Sequence, residues 1–170
     1  MKQITKKYDL YNFDELSEEA KEKAIESFGN INVDYEWYDD DGYNEIAKDY
    51  GIEISMDGVS FDLGRGNFVA FDNISIEDEE KFCKKAGVNY QEEDYISIKL
   101  NHYGGNRCKN FIETYDYEEI NKLQETLEEL MEEILSSLKK GYEYLTSDDC
   151  IIETIKANEY TFLEDGTMFQ

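Results

Sequence analysis

Residues 34–45 read DYEWYDDDGYNE, with six carboxylates, one Trp and three Tyr and no basic side chain. Two kinds of chemistry use carboxylates at this density. They hold a hard divalent cation through oxygen ligands at defined spacing, or they present an anionic surface to a basic partner. The metal option finds no template. With Gly42 as the loop glycine of an EF-hand, the first ligand position falls on Trp37. Elsewhere no spacing singles out a carboxylate pair for Mg²⁺, so no metal ligand is assigned.

Three other groups have reactive or recognition chemistry. The single histidine, His102, precedes Cys108 by six positions across the glycine-containing stretch NHYGGNRC. A Cys–His dyad needs an orienting acid that the sequence does not identify, and a turn histidine accounts for His102 more simply. Arg65 in GRG and Arg107 in GGNR are the only arginines. Neither cluster matches G-x-G-x-x-G opening a helix or a P-loop, and hairpin turns account for the glycines. The guanidinium forks suit a carboxylate or a phosphate. No catalytic residue and no cofactor is expected.

The elements that must position these groups follow from periodicity. Ile4, Tyr8 and Leu10 alternate as a strand. Asn12 or Ser17 caps a helix carrying Leu16, Ala20, Ala24, Ile25 and Phe28, which Gly29 stops. Val33, Trp37, Ile46, Ala47 and Tyr50 fit one helical face over residues 33–50, broken by DDDG and ended by Gly51. Ile52, Ile54 and Met56 alternate, Asp57–Gly58 forms a hairpin turn, and Val59, Phe61 and Leu63 return. GRG turns into NFVAF. Ser75 and Asp78 resemble a capping box for a short helix with Phe82, Cys83 and Ala86. Ile96, Ile98 and Leu100 form a strand whose partner is NFIETYDY.

The longest periodic segment covers residues 117–140. Ile120, Leu123, Leu127, Leu130, Met131, Ile134, Leu135 and Leu138 recur at three- and four-residue steps, and Glu118, Glu125, Glu128, Glu129, Glu132 and Glu133 face away. Glutamates three and four apart lie about 5–6 Å from each other, close to the spacing of successive phosphates, and repel at some cost to the helix. TSDD caps a last helix with Ile151, Ile152 and Ile155, and EYTFLEDG closes the chain as a short strand or turn. The expected fold is α+β: one acidic domain over residues 1–170, with a mostly antiparallel sheet packed against the long amphipathic helix and shorter helices.

Composition narrows the partners. The 170 residues carry 41 acidic and 17 basic side chains, for a formal charge of −24. Solubility of a small domain needs a magnitude of only about 2–8. Such a molecule is repelled by nucleic-acid phosphates and by anionic membranes, so direct binding to either is not expected. Its lysines and 14 Tyr fit poorly with halophilic adaptation. Three widely spaced cysteines without a C-x-x-C pair suit reduced thiols in a cytosol. No apolar run approaches the roughly 20 residues of a membrane span, and MKQITKKYDLY has no signal-peptide core.

FDELSEEAKEKAIE (13–26), DYEWYDD (34–40), GIEIS (51–55), YEYLTSDD (142–149) and IKANEYTFLEDG (155–166) together resemble a family of small acidic proteins encoded by bacteriophages and prophages. The likeness covers both ends and much of the first half; the short FDLGRGNFVAF departs from the longer Trp- and Gly-containing segment of that family. It implies a viral or mobile-element setting in a bacterial host cytoplasm and supplies no catalytic residues. With the charge, it leads to the expectation of a non-catalytic inhibitor of a nucleic-acid-binding defence system, of the anti-CRISPR or anti-restriction kind. Its partner would be a basic host protein, a CRISPR effector or a restriction enzyme, met by a monomer or homodimer. The mimic surface would comprise Glu36, Asp39, Asp40, Asp41 and Asp49, with Glu125, Glu128, Glu129, Glu132 and Glu133. Two alternatives are a regulator binding a protein through the aromatic and glycine-loop region at 61–71, and a metal-dependent enzyme.

Overall fold

The computed structural model describes residues 5–34, 37–38, 41–90, 95–103, 107–114 and 119–169, with the backbone alone at 41, 103 and 107. In chain order the first elements are β1 (Tyr11–Asn12), a 3₁₀ turn (Phe13–Glu15), α1 (Glu18–Ser27) and α2 (Asp41–Asp49). The strands β2 (Ile52–Ile54), β3 (Val59–Asp62), β4 (Phe68–Phe71) and β5 (Ile74–Ile76) follow, then α3 (Glu79–Ala86). The rest is β6 (Ile96–Tyr103), β7 (Arg107–Thr114), α4 (Ile120–Leu145), α5 (Asp148–Ala157) and β8 (Thr161–Phe162). The class is α+β, and the named strands pair antiparallel in four two-stranded ladders. Contacts divide the chain into two compact units: Met1–Trp37 with Tyr142–Gln170, and Tyr38–Gly141.

The first unit is organised by its caps. Ser17 Oγ accepts from Ala20 N–H at 3.3 Å to start α1, and Glu18 and Glu19 complement the positive end of the helix dipole. Ser147 does the same for α5 through Cys150 N–H. Leu16, Ala20 and Ala24 pack with Ile151, Ile155 and Phe162 into one buried cluster. The α1 backbone approaches the terminal turn closely at Ala20: Gly166, at φ +81°, would place a Cβ 2.1 Å from Ala20 O. Trp37 is anchored here, its ring 5.7 Å from that of Tyr142. The strand expected over the first ten residues is not formed where it is described. Residues 5–10 are irregular and exposed, because strand pairing begins only at Tyr11, opposite Phe162. The rest of that expectation, at 1–4, lies outside the described residues.

In the second unit the middle strands do not pair as the local pattern implies. β2 pairs with β5, from Ile52↔Ile76 to Ile54↔Ile74, and β3 with β4, from Val59↔Phe71 to Asp62↔Phe68. Residues 55–58 therefore stand opposite only 72–73, which makes one long hairpin with a bulge. Asp57–Gly58 sits in that bulge rather than at the end of a hairpin. Ser55 N–H donates to Asn73 O and Asp72 N–H to Gly58 O, so pairing resumes on the far side. The true end is at 63–67, where the Asp62 carboxylate accepts from Gly64 N–H at 2.7 Å and Gly66 N–H at 2.9 Å.

Two helices also start later than periodicity suggests. α2 begins at Asp41, so Gly42 lies in its first turn, where it costs less than in an interior, and Val33 and Trp37 lie outside it. α3 is capped by Asp78, whose carboxylate accepts from Lys81 N–H at 2.9 Å, while Ser75 belongs to β5. Competition from a β partner removes Ser75 from the capping role. The long helix runs over Ile120–Leu145, and its residues Leu123, Leu127, Leu130, Ile134 and Leu138 are buried. Each contributes about 1.5–3 kcal/mol of apolar burial.

Candidate functional site

α4 buries one side and exposes the other. At about 100° per residue, Glu125, Glu128, Glu129, Glu132 and Glu133 fall within an arc of about 140° opposite the buried leucines. They are not equivalent. Glu125, Glu129, Glu132 and Glu133 are exposed. Glu128 is half-buried and accepts from Lys109 Nζ at 2.7 Å and from Gln124 Nε2 at 2.9 Å. The Lys109 hydrogen bond holds its carboxyl below the ordinary value. Gln124 in turn accepts from Ile112 N–H at 2.9 Å. Glu128 therefore ties α4 to β7.

Glu133 has a second such role. The buried Tyr50, just past α2, donates its hydroxyl to Glu133 Oε1 at 2.8 Å, and Lys85 Nζ lies 3.5 Å from its ring centroid. Burial, then Glu133, push the Tyr50 hydroxyl well above its ordinary 10.0. The charges of Glu129 and of Asp49, exposed at the end of α2, add to this shift. Of the expected acids, the five glutamates share one side of α4, and Asp49 is the last residue of α2. Glu36, Asp39 and Asp40 lie outside the described residues, as does the side chain of Asp41, the first residue of α2.

Next to the row is an open groove of about 730 Å³. Its walls include Arg65 and Phe68 from the β3–β4 hairpin, Cys108 and Lys109 from β7, and Met131 and Glu132 from α4. Asp62 shapes the hairpin tip, and Lys139 donates to Asn67 Oδ1 across it. Glu132 therefore belongs both to the acidic row and to the groove wall. Lys109, Gln124 and Met131 carry no local signal of this role, since their partners lie on other elements; the inward position of Asn110 between Ile112 and Cys108 is the one mark in sequence that β7 has a polar neighbour.

At the end of the β6–β7 hairpin, register sets His102 opposite Cys108, with Nδ1 and Sγ 3.0 Å apart. The Arg107 side chain lies outside the described residues. Among the described residues no group of three or more His, Cys, Asp or Glu could hold a metal ion, and no helix is long and apolar enough to cross a membrane. No protein-family model, curated protein or solved structure matches this chain.

Proposed function

We propose that this protein is a bacteriophage or prophage inhibitor that acts without catalysis in the host cytoplasm. It occupies the nucleic-acid channel of a basic bacterial defence protein, a CRISPR effector or a restriction enzyme. The observation that carries this reading is the stripe of Glu125, Glu129 and Glu132, exposed on a helix whose opposite side is buried core. Carboxylates on a rigid helix keep their backbone spacing, so binding orders their side chains but costs little backbone freedom, and a channel lined with Lys and Arg attracts them from a distance. The formal charge of −24 adds long-range steering.

The test is capture from a defence-competent bacterial lysate at low and at high salt. Capture of a nucleic-acid-binding protein should weaken steeply as salt rises, and added duplex DNA should compete. Glu125→Lys, Glu129→Lys and Glu132→Lys together should abolish it with the circular dichroism unchanged. Capture that survives the triple reversal, or resists salt, would sink the reading.

A second reading is supported by the groove. A protein-binding regulator would use its mixed apolar and charged wall, with Arg65 presented by the Asp62-shaped tip. Arg65→Ala would then impair binding, while Glu125→Lys with Glu129→Lys, which leaves the groove wall unchanged, would spare it.

A further inference from the structure

We propose that Cys108 is a His102-activated thiol that undergoes reversible mixed-disulfide formation with low-molecular-weight disulfides. The proposal is independent of the inhibitor reading and rests on three observations. First, the antiparallel register of β6 and β7 sets His102 and Cys108 directly opposite each other, and Nδ1 and Sγ are 3.0 Å apart. That distance lets a proton pass from sulfur to nitrogen with no rearrangement of the backbone. Second, the sulfur is reachable: His102 is exposed, Cys108 is half-buried, and Cys108 lines the open groove. Third, the other two thiols are placed differently. Cys83 is 0 % exposed, and Cys150 Sγ lies 3.3 Å from Asn32 Nδ2. The chain has one histidine, and it stands at Cys108.

The thiolate, not the thiol, is the nucleophile in disulfide exchange. His102 takes the Sγ proton, and the thiolate attacks one sulfur of R–S–S–R. The S–S bond breaks, a Cys108–S–S–R bond forms, and R–S⁻ leaves with the proton returned from the imidazolium. One sulfur of the small disulfide is reduced and leaves as R–SH, the Cys108 sulfur is oxidised in its place, and the second R sulfur stays at the disulfide level, so no further oxidant is needed. The charged groups around the same groove are Arg65, Lys109, Glu128 and Glu132. Glu128 is already engaged by Lys109. The strongly negative molecule concentrates cations around itself, so a cationic disulfide should react faster than an anionic one of similar size.

The experiment uses the full chain, fully reduced, with cystamine, hydroxyethyl disulfide and glutathione disulfide as separate probes. Peptide mass spectrometry follows each cysteine over time. Cys108 should be modified at least about tenfold faster than Cys83 and Cys150 near neutral pH, in the order cystamine, hydroxyethyl disulfide, glutathione disulfide. His102→Gln should slow Cys108 by about tenfold near neutrality and by little in strongly alkaline buffer, where hydroxide generates the thiolate without help. Unfolding the wild type in urea separates the two residues, and it should remove the advantage of Cys108 over the other thiols. Equal rates at Cys108 and Cys150 in the folded protein would overturn the proposal. So would a His102→Gln rate equal to wild type near neutrality.

Discussion

The side chain of Asn110 does for Phe71 what a neighbouring strand would do. Its Oδ1 accepts from Phe71 N–H at 2.8 Å and its Nδ2 donates to Phe71 O at 2.9 Å, with Asn110 only 2 % exposed and Phe71 fully buried. β4 and β7 lie side by side without a shared backbone ladder, and this one amide satisfies both main-chain groups of Phe71 on that side. The two hairpins of the second unit are thereby held in one arrangement.

Loss of this amide should therefore cost more than an ordinary surface polar change. Asn110→Leu strands a buried N–H and a buried C=O and should destabilise by about 2–4 kcal/mol. Asn110→Asp keeps the acceptor, loses the donor and buries a charge, and should be no better. Urea unfolding followed by circular dichroism, with the three proteins compared at one pH, measures both.

Tyr50 makes alkaline stability depend on one residue. Its hydroxyl titrates above 10.0 in the folded chain because of burial and Glu133, while unfolding returns it to about that value. The folded state thus holds the proton more tightly. The associated stability is fully present below pH 10 and is lost as pH rises from there toward the folded-state value. Tyr50→Phe should lower stability by about 1–2 kcal/mol near neutrality and flatten the decline above pH 10. Chemical denaturation repeated across the alkaline range would show it.

In the first unit, Lys23 Nζ donates to Asp165 Oδ2 at 2.6 Å and Thr167 N–H donates to Oδ1. The lysine hydrogen bond comes first in holding this carboxyl at about 2, below its ordinary 3.8. Stability linked to it is present above 3.8 and lost as pH falls toward 2. Lys23→Gln should move the Asp165 midpoint upward toward 3.8, read by carbon-detected NMR of the carboxyl group. An unmoved midpoint would mean that Thr167 dominates.

Gly166→Ala tests how closely the terminal turn seats on α1. A Cβ would lie 2.1 Å from Ala20 O at a backbone φ of +81°, a region that L side chains rarely adopt. The substitution should cost about 2–4 kcal/mol. Gly87→Ala is the control, because a Cβ there meets nothing within 4 Å although φ is also positive. It should cost less than Gly166→Ala.

The features legible in the sequence are those that depend on neighbours along the chain. Ser17, one of two candidate caps, and Ser147 within TSDD cap their helices, the apolar stripe of α4 is the buried side, and the alternation at Ile96 and Ile98 makes a strand. Caps and stripes are set by residues three or four positions apart, so local chemistry suffices. The β6–β7 pairing and the GRG turn from β3 into β4 are legible in the sequence, but only the tertiary contacts decided that β2 pairs with β5 rather than with β3 across Asp57–Gly58. They also decided which acids are part of the fold. Glu128 and Glu133 look the same in sequence as Glu129 and Glu132, yet Lys109 and Tyr50 reach the first two from other elements. A carboxylate's role depends on the donor that arrives beside it in space, and periodicity along one helix carries no record of that donor.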